Sequence, residues 1–197
     1  MIIYLDTETT GLNPGQICQL SYVIQEGGKA CAKNFFFSVD YVEYSAFAVH
    51  GFSTEILDRL SGGKGFERFI DEIENDFNCA SAICAHNTSF DFKFLRKEFE
   101  RCGREFMPKA DFCTMKKSIS ACKLIRPNSG GYKYPRLNEL CAYLGITDGE
   151  IQHFCKKLFG GEAGYHDARF DTTAVFLAVN KGIEEIGEFE PLKEHLL

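Results

Sequence analysis

The sequence has no tryptophan and few prolines, and none of its apolar runs approaches the roughly 20 residues that cross a bilayer. A membrane-spanning helix is therefore not expected. The start, MIIYLDTETTG, has no basic region ahead of its apolar residues, so it does not read as a signal peptide. A cytoplasmic protein without membrane contact is the expectation. Paired cysteines are also lacking. Nine are scattered along the chain, and the one close pair, Cys79 and Cys84, has no second pair to complete a zinc site. Reduced, mostly buried thiols are expected. Positive charge is short too: 22 Lys and Arg stand against 28 Asp and Glu, a net charge of −6. That excludes a protein held on nucleic acid by global positive charge. It does not exclude an enzyme whose own carboxylates hold cations.

The 197 residues suffice for one domain with a real core, and 19 phenylalanines supply aromatic filling for it. Residues 2–5 (IIYL) form a short apolar run suited to a buried strand. Residues 17–25 and 31–39 follow as second and third strands around a Gly27-Gly28 turn. Ser53 is placed to cap a short helix through Leu60. Phe66, Phe69, Ile70, Ile73 and Phe77 share one face of a helix over 66–77. Ala82–Ala85 reads as a strand, followed by a helix from Thr88 to Cys102 that Gly103 stops. A short strand near Lys109–Phe112 and a helix over Thr114–Cys122 come next.

Pro135 then precedes a helix bearing Leu137, Leu140, Cys141 and Leu144 on one face. Ile151, Phe154, Cys155 and Leu158 repeat that spacing. The stretch Gln152–Phe159 faintly resembles a sliding-clamp tether, and an amphipathic helix explains it equally. A last long helix runs from about Asp167 to Asn180, and the tail, about 183–197, is expected to be helical and peripheral. The organisation predicted is a single α/β domain over 1–197, its core at about 2–180, with helices on both faces of the sheet.

Asp6 and Glu8 end the first strand. Side chains at i and i+2 on a strand share a face, so two carboxylates converge there. Burying them together is costly unless a cation lies between them, and hard cations take oxygen ligands. A solvated polar strand end is the bland alternative. Asp91 lies in the first turn of a predicted helix, where Thr88-x-x-Asp91 also fits a capping box. His166 and Asp171 are five residues apart, about 140° around a helix. They can share one site only if His166 sits in the loop loosened by Gly160, Gly161 and Gly164. Asp167 suits the helix N-cap.

These pieces, Asp6-Thr7-Glu8 with Thr10-Gly11-Leu12, Asn87 to Asp91, and His166 to Asp171, resemble in order and spacing the DEDDh, or DnaQ-like, 3′→5′ exonucleases. Val49-His50-Gly51 is similar to a further family element. The resemblance spans roughly residues 2–180. It implies a ribonuclease H-like fold with a mixed five-stranded sheet. It also implies catalysis by Asp6, Glu8, Asp91, His166 and Asp171, with two Mg²⁺ or Mn²⁺ ions held by the four acids and His166 as general base. Thr9, Gly11, Leu12, His50, Asn87 and Phe90 become candidates for contacting the terminal nucleotide. The implied substrates are 3′ ends of single-stranded DNA or RNA, and a DNA polymerase is an implied partner. The alternative is a non-catalytic nucleic-acid-binding or polymerase-associated module on the same fold. One segment departs from the family pattern. From Lys116 to Arg136 there are six basic residues and no acid, interleaved with Tyr132 and Tyr134.

Overall fold

The computed structural model describes residues 1–127 and 130–196. Five strands, β1 (Ile2–Thr9), β2 (Ile17–Glu26), β3 (Lys29–Phe36), β4 (Ala82–Ala85) and β5 (Asp111–Cys113), form one sheet in the order β3-β2-β1-β4-β5. The β1-β2 and β2-β3 pairs are antiparallel, whereas β4 runs parallel to both β1 and β5. This is the mixed five-stranded α/β sheet expected. The helices are α1 (Tyr44–His50), α2 (Thr54–Ser61), α3 (Ile70–Cys79), α4 (Thr88–Arg101), α5 (Thr114–Lys117), α6 (Ile119–Cys122), α7 (Leu137–Tyr143), α8 (Asp148–Phe159), α9 (Ala168–Glu185) and α10 (Lys193–Leu196). No helix among the described residues is long and apolar enough to cross a membrane.

Strand alternation divides the core into two layers. Ile2, Tyr4, Val23 and Cys84 pack with α7, α8 and α9 on one face. Ile3, Leu5, Leu20, Tyr22 and Ile83 pack with α3 and α4 on the other, where most of the buried phenylalanines gather. Both faces of β1 are thus covered, which is why its start is uniformly apolar.

Several boundaries differ from expectation for physical reasons. The helix expected over 66–77 is a 3-10 turn, Phe66–Arg68, then α3, because Phe69 leaves helical geometry at φ −114°. The helix expected over Thr114–Cys122 breaks at Ser118, whose hydroxyl donates back to Thr114 O at 2.7 Å. Such back-bonding competes with the helical ladder. Helix α1 was not anticipated, since its 7 residues make about two turns, too few to establish a period, and none is buried. The stretch 152–159 lies within α8, which buries Ile151 and Cys155 and donates from the Gln152 amide to Ala163 O. Its amphipathic pattern therefore serves packing.

The tail is not peripheral. Ile183 belongs to α9, and a 3-10 segment, Gly187–Leu192, buries Phe189 completely. The Phe189 ring meets Phe112 edge-on at 4.9 Å. It packs so closely on α9 that a Cβ at Gly182 would lie 2.6 Å from it. That contact explains a glycine inside a long helix, where it is otherwise unfavourable.

Candidate active site

Asp6 and Glu8 continue the face of β1 that Ile2 and Tyr4 turn toward α9. Asp171 projects from the first turn of α9 onto the same spot. One carboxylate oxygen from each of Asp6, Glu8 and Asp171 lies within 4.8 Å of the others. Thr7, of opposite parity, points toward α4, and its hydroxyl donates to Asp91 Oδ1 at 2.9 Å. Asp91 is only 2% exposed. The expected Thr88–Asp91 capping box is absent. Asn87 occupies the cap position in the left-handed region (φ 82°) without a side-chain cap bond, and Thr7 has engaged the Asp91 carboxylate.

The register of β1 against β2 shifts just after the second carboxylate: Glu8 faces Gln19 and Thr9 faces Ile17. The extra residue is Cys18 on β2, and such a bulge sharpens the local twist just where β1 ends at Thr9. Gln19, fully buried, then fixes α9 against β2. Its amide donates to Asp167 Oδ1 at 2.9 Å, and its Oε1 accepts from Ala168 N at 3.1 Å. Asp167 caps α9 as expected and is gripped by Arg169 at 2.6 Å.

His166 precedes α9, in the left-handed region at φ 61°, with its backbone N–H donating to Asp171 Oδ2 at 3.2 Å. The loop placement removes the 140° conflict a continuous helix would impose. Tyr165 secures the loop by donating its hydroxyl to Asp148 Oδ1 at 2.5 Å. His50 is also fixed. Its Nδ1 accepts from Phe52 N at 3.0 Å, so Nε2 carries the proton and donates to Thr9 O at 3.2 Å. Burial lowers its pKa, and it stays neutral.

Electrostatics at the centre are unfavourable without a cation. Burial, then repulsion from Asp171, Asp91 and Glu8, pushes the Asp6 carboxyl well above the usual range. Burial, then repulsion from Asp171, Asp167 and Asp91, raises Glu8 to about 8. Burial raises Asp91 to about 7 against the opposing bond from Thr7, and Asp171 to about 6 against the opposing pull of His166. Among the described residues no Lys or Arg forms an ion pair with any of these four acids. A crowded, oxygen-only, anionic donor set with no basic partner fits hard divalent cations such as Mg²⁺ or Mn²⁺.

Two clefts flank the acids. The smaller, about 270 Å³, is lined by Glu8, Thr9, Gly11, Leu12, His50 and Phe90, among others. The larger, about 840 Å³, extends from Asp6, Asp171 and His166 to Arg136 and Asn138, over an apolar floor that includes Ile151 and Phe170. Five of the six candidate nucleotide contacts thus share one cleft. Asn87 lines neither, and its Oδ1 accepts from Ser89. Sequence reasoning passed over Thr7, Gln19 and Arg169, which hold the acids in place. Gln19 left one signal, as a polar residue within an otherwise apolar strand run.

The family model "RNase_T: Exonuclease" matches residues 3–176. DNA polymerase III subunit epsilon of Escherichia coli (strain K12) is 28% identical over 157 residues, covering 74% of this chain and 61% of that protein. The same subunit of Rickettsia felis is 29% identical over 145 residues, covering 71% and 60%. The chain therefore spans about three fifths of the length of these relatives. Among solved structures, the zinc-bound and metal-free forms of E. coli ExoI with single-stranded DNA superpose with TM-scores of 0.65 and 0.68, at 18% and 17% identity. Each superposition covers 98% of this chain, and 43% and 42% of the ExoI chain respectively. That likeness carries the fold, which is ribonuclease H-like. With the family match spanning most of the sequence, the chain belongs to the DnaQ-like exonuclease family.

Proposed function

We propose that this protein is a metal-dependent 3′→5′ exonuclease that releases nucleoside 5′-monophosphates from single-stranded DNA or RNA. The observation that carries the reading is the convergence of Asp6, Glu8 and Asp171 within 4.8 Å, with no ion pair to a Lys or Arg among the described residues. Asp91, tied to Thr7 and outside that trio, would complete the set of acids for two Mg²⁺ or Mn²⁺ ions. When bound, such ions offset phosphate charge, lower the pKa of water and stabilise a departing oxygen. The remaining work falls to the chain itself.

The terminal nucleoside occupies the smaller cleft, between Leu12 and Phe90, with His50 holding the Thr9 carbonyl in place. His166, in its loop beside Asp171, accepts a proton from the attacking water on a ring nitrogen. Water adds to phosphorus, the bond to the preceding 3′ oxygen breaks, and that oxygen takes a proton from solvent, to which His166 releases the one it accepted. The products are a nucleoside 5′-monophosphate and a strand one residue shorter. The similarity to polymerase III epsilon subunits supports extending the proposal to association with a DNA polymerase.

The test offers 5′-labelled single strands of DNA and RNA with Mg²⁺, with Mn²⁺ and with EDTA. A ladder shortening by single nucleotides, abolished by EDTA, is expected. Internal fragments, or activity that persists in EDTA, would refute the reading. Replacing His166 with alanine should lower kcat about 10²–10⁴-fold while KM changes little. Added imidazole should restore part of the rate. A raised KM with unchanged kcat, unresponsive to imidazole, would leave His166 a binding residue only.

A further inference from the structure

The two clefts beside the acids are unequal, and the difference gives a strand its direction. The smaller has room for about one nucleoside and is walled by α1 and the turn after β1. A strand with its 3′ residue there must leave across Asp6 and Asp171 into the larger cleft. Arg136 and Asn138 stand at the far rim of that cleft. Immediately before Arg136 lies the basic segment that departs from the family pattern, folded back on itself by a bridge between Ile125 and Tyr132.

The segment is anchored to the site. The Pro135 carbonyl can only accept, so His86 Nε2 carries a proton and donates to it at 3.0 Å, while Nδ1 accepts from the Thr114 hydroxyl at 2.9 Å. Burial holds the His86 pKa down at about 4, which keeps the clamp neutral. His86 itself lines the larger cleft. Not every basic group of the segment is available. Lys133 is bound by Glu139 at 2.7 Å, and Lys117 lies near Glu188. Among the described residues, Lys116, Lys123, Arg126 and Arg136 are exposed and make no ion pair. Tyr132 and Tyr134 are 44% and 49% exposed. On a chain of net charge −6, this is a local cationic and aromatic surface beginning at the mouth of the cleft.

We propose that the His86-anchored segment, with Arg136 at its root, is the platform for the nucleotides 5′ to the cut, and that it selects unpaired strand. This rests on the exonuclease reading. Arg136 meets a phosphate, and Tyr134 and Tyr132 offer ring faces to bases that stack on them only when unstacked from a duplex. Lys133, already bound by Glu139, contributes little.

The test compares two substrates. The p-nitrophenyl ester of thymidine 5′-monophosphate has no nucleotide 5′ to the cut, whereas an oligonucleotide does. Arg136→Ala and Tyr134→Ala should hydrolyse the ester at the wild-type rate, which also reports correct folding. On single-stranded oligonucleotides each should raise KM, by roughly tenfold for the tyrosine variant. Arg136→Ala should also flatten the log–log salt dependence of binding by about 0.7. Tyr134→Phe should retain wild-type KM. Unchanged KM and salt slope on oligonucleotides, or an equal loss on both substrates, would overturn the platform. A wild-type protein inactive on both substrates would instead overturn the exonuclease reading beneath it.

Discussion

Replacing Asp6 with asparagine is expected to reduce nuclease activity by about 10³-fold or more, because it removes a charged ligand at the centre of the acid cluster. The same substitution should make the EDTA-treated protein more stable. Asp6 sits among Asp171, Asp91 and Glu8, and each of them, together with burial, disfavours its charged form. Asparagine keeps the shape and removes one of the repelling charges. Each ~1 kcal/mol gained moves Tm by about 2–4 °C in a chain of this size. Activity and stability would thus move in opposite directions, as expected for a site whose function is bought with strain. Kinetics and thermal melting in EDTA check the pair of outcomes. A variant that loses stability along with activity would mark Asp6 as structural, and one within tenfold of wild-type activity would remove it from the centre.

The second large effect is a dependence of stability on pH that divalent cations abolish. The metal-free fold holds protons on Glu8 up to about pH 8, on Asp91 to about 7 and on Asp171 to about 6. The unfolded chain releases the same protons near their ordinary values, about 4. Between these limits the folded state binds more protons than the unfolded state, so stability falls as pH rises. The contribution is full below the unfolded values and lost on passing through the raised ones. Asp167 works in the opposite sense: Arg169 and Gln19 hold its carboxyl below the usual value, so its contribution is present above the unfolded value. With Asp6, whose carboxyl is also pushed up, the four raised acids of the centre outweigh Asp167. Melting in EDTA should therefore give a Tm that declines from about pH 5 to about pH 8, and Mg²⁺ should flatten or invert the slope. A flat profile in EDTA would contradict the crowding of these acids.

Much of this site was legible because strand parity and motif spacing are local properties. Asp6 and Glu8 share a face by alternation alone, and the glycines before His166 permitted the loop the geometry required. The turn at Gly27-Gly28 followed from two residues that both take positive φ. What escaped depends on contacts between distant segments. Asp91 was named among the acids, but its bond to Thr7, 84 positions away, in place of the capping box it also fits, was not visible. Gln19 reaches Asp167 across 148 positions, which no local pattern encodes. Helix α1 has only 7 residues, too few for a period to stand out. The tail looked peripheral because the contact of Phe189 with Phe112, far back in the chain, leaves no local pattern. The basic segment was visible as composition, but the Glu139 partner that neutralises Lys133 was not.

The cation centre underlies every step proposed above, and Mn²⁺ binding reads it without reference to catalysis. Titration of the metal-free protein with Mn²⁺, followed by electron paramagnetic resonance, should give saturable binding that Asp6→Asn and Asp171→Asn each weaken strongly. Mg²⁺ should compete for the same sites. Wild-type protein that fails to bind Mn²⁺, or variants that bind it undiminished, would contradict a divalent centre built on these carboxylates.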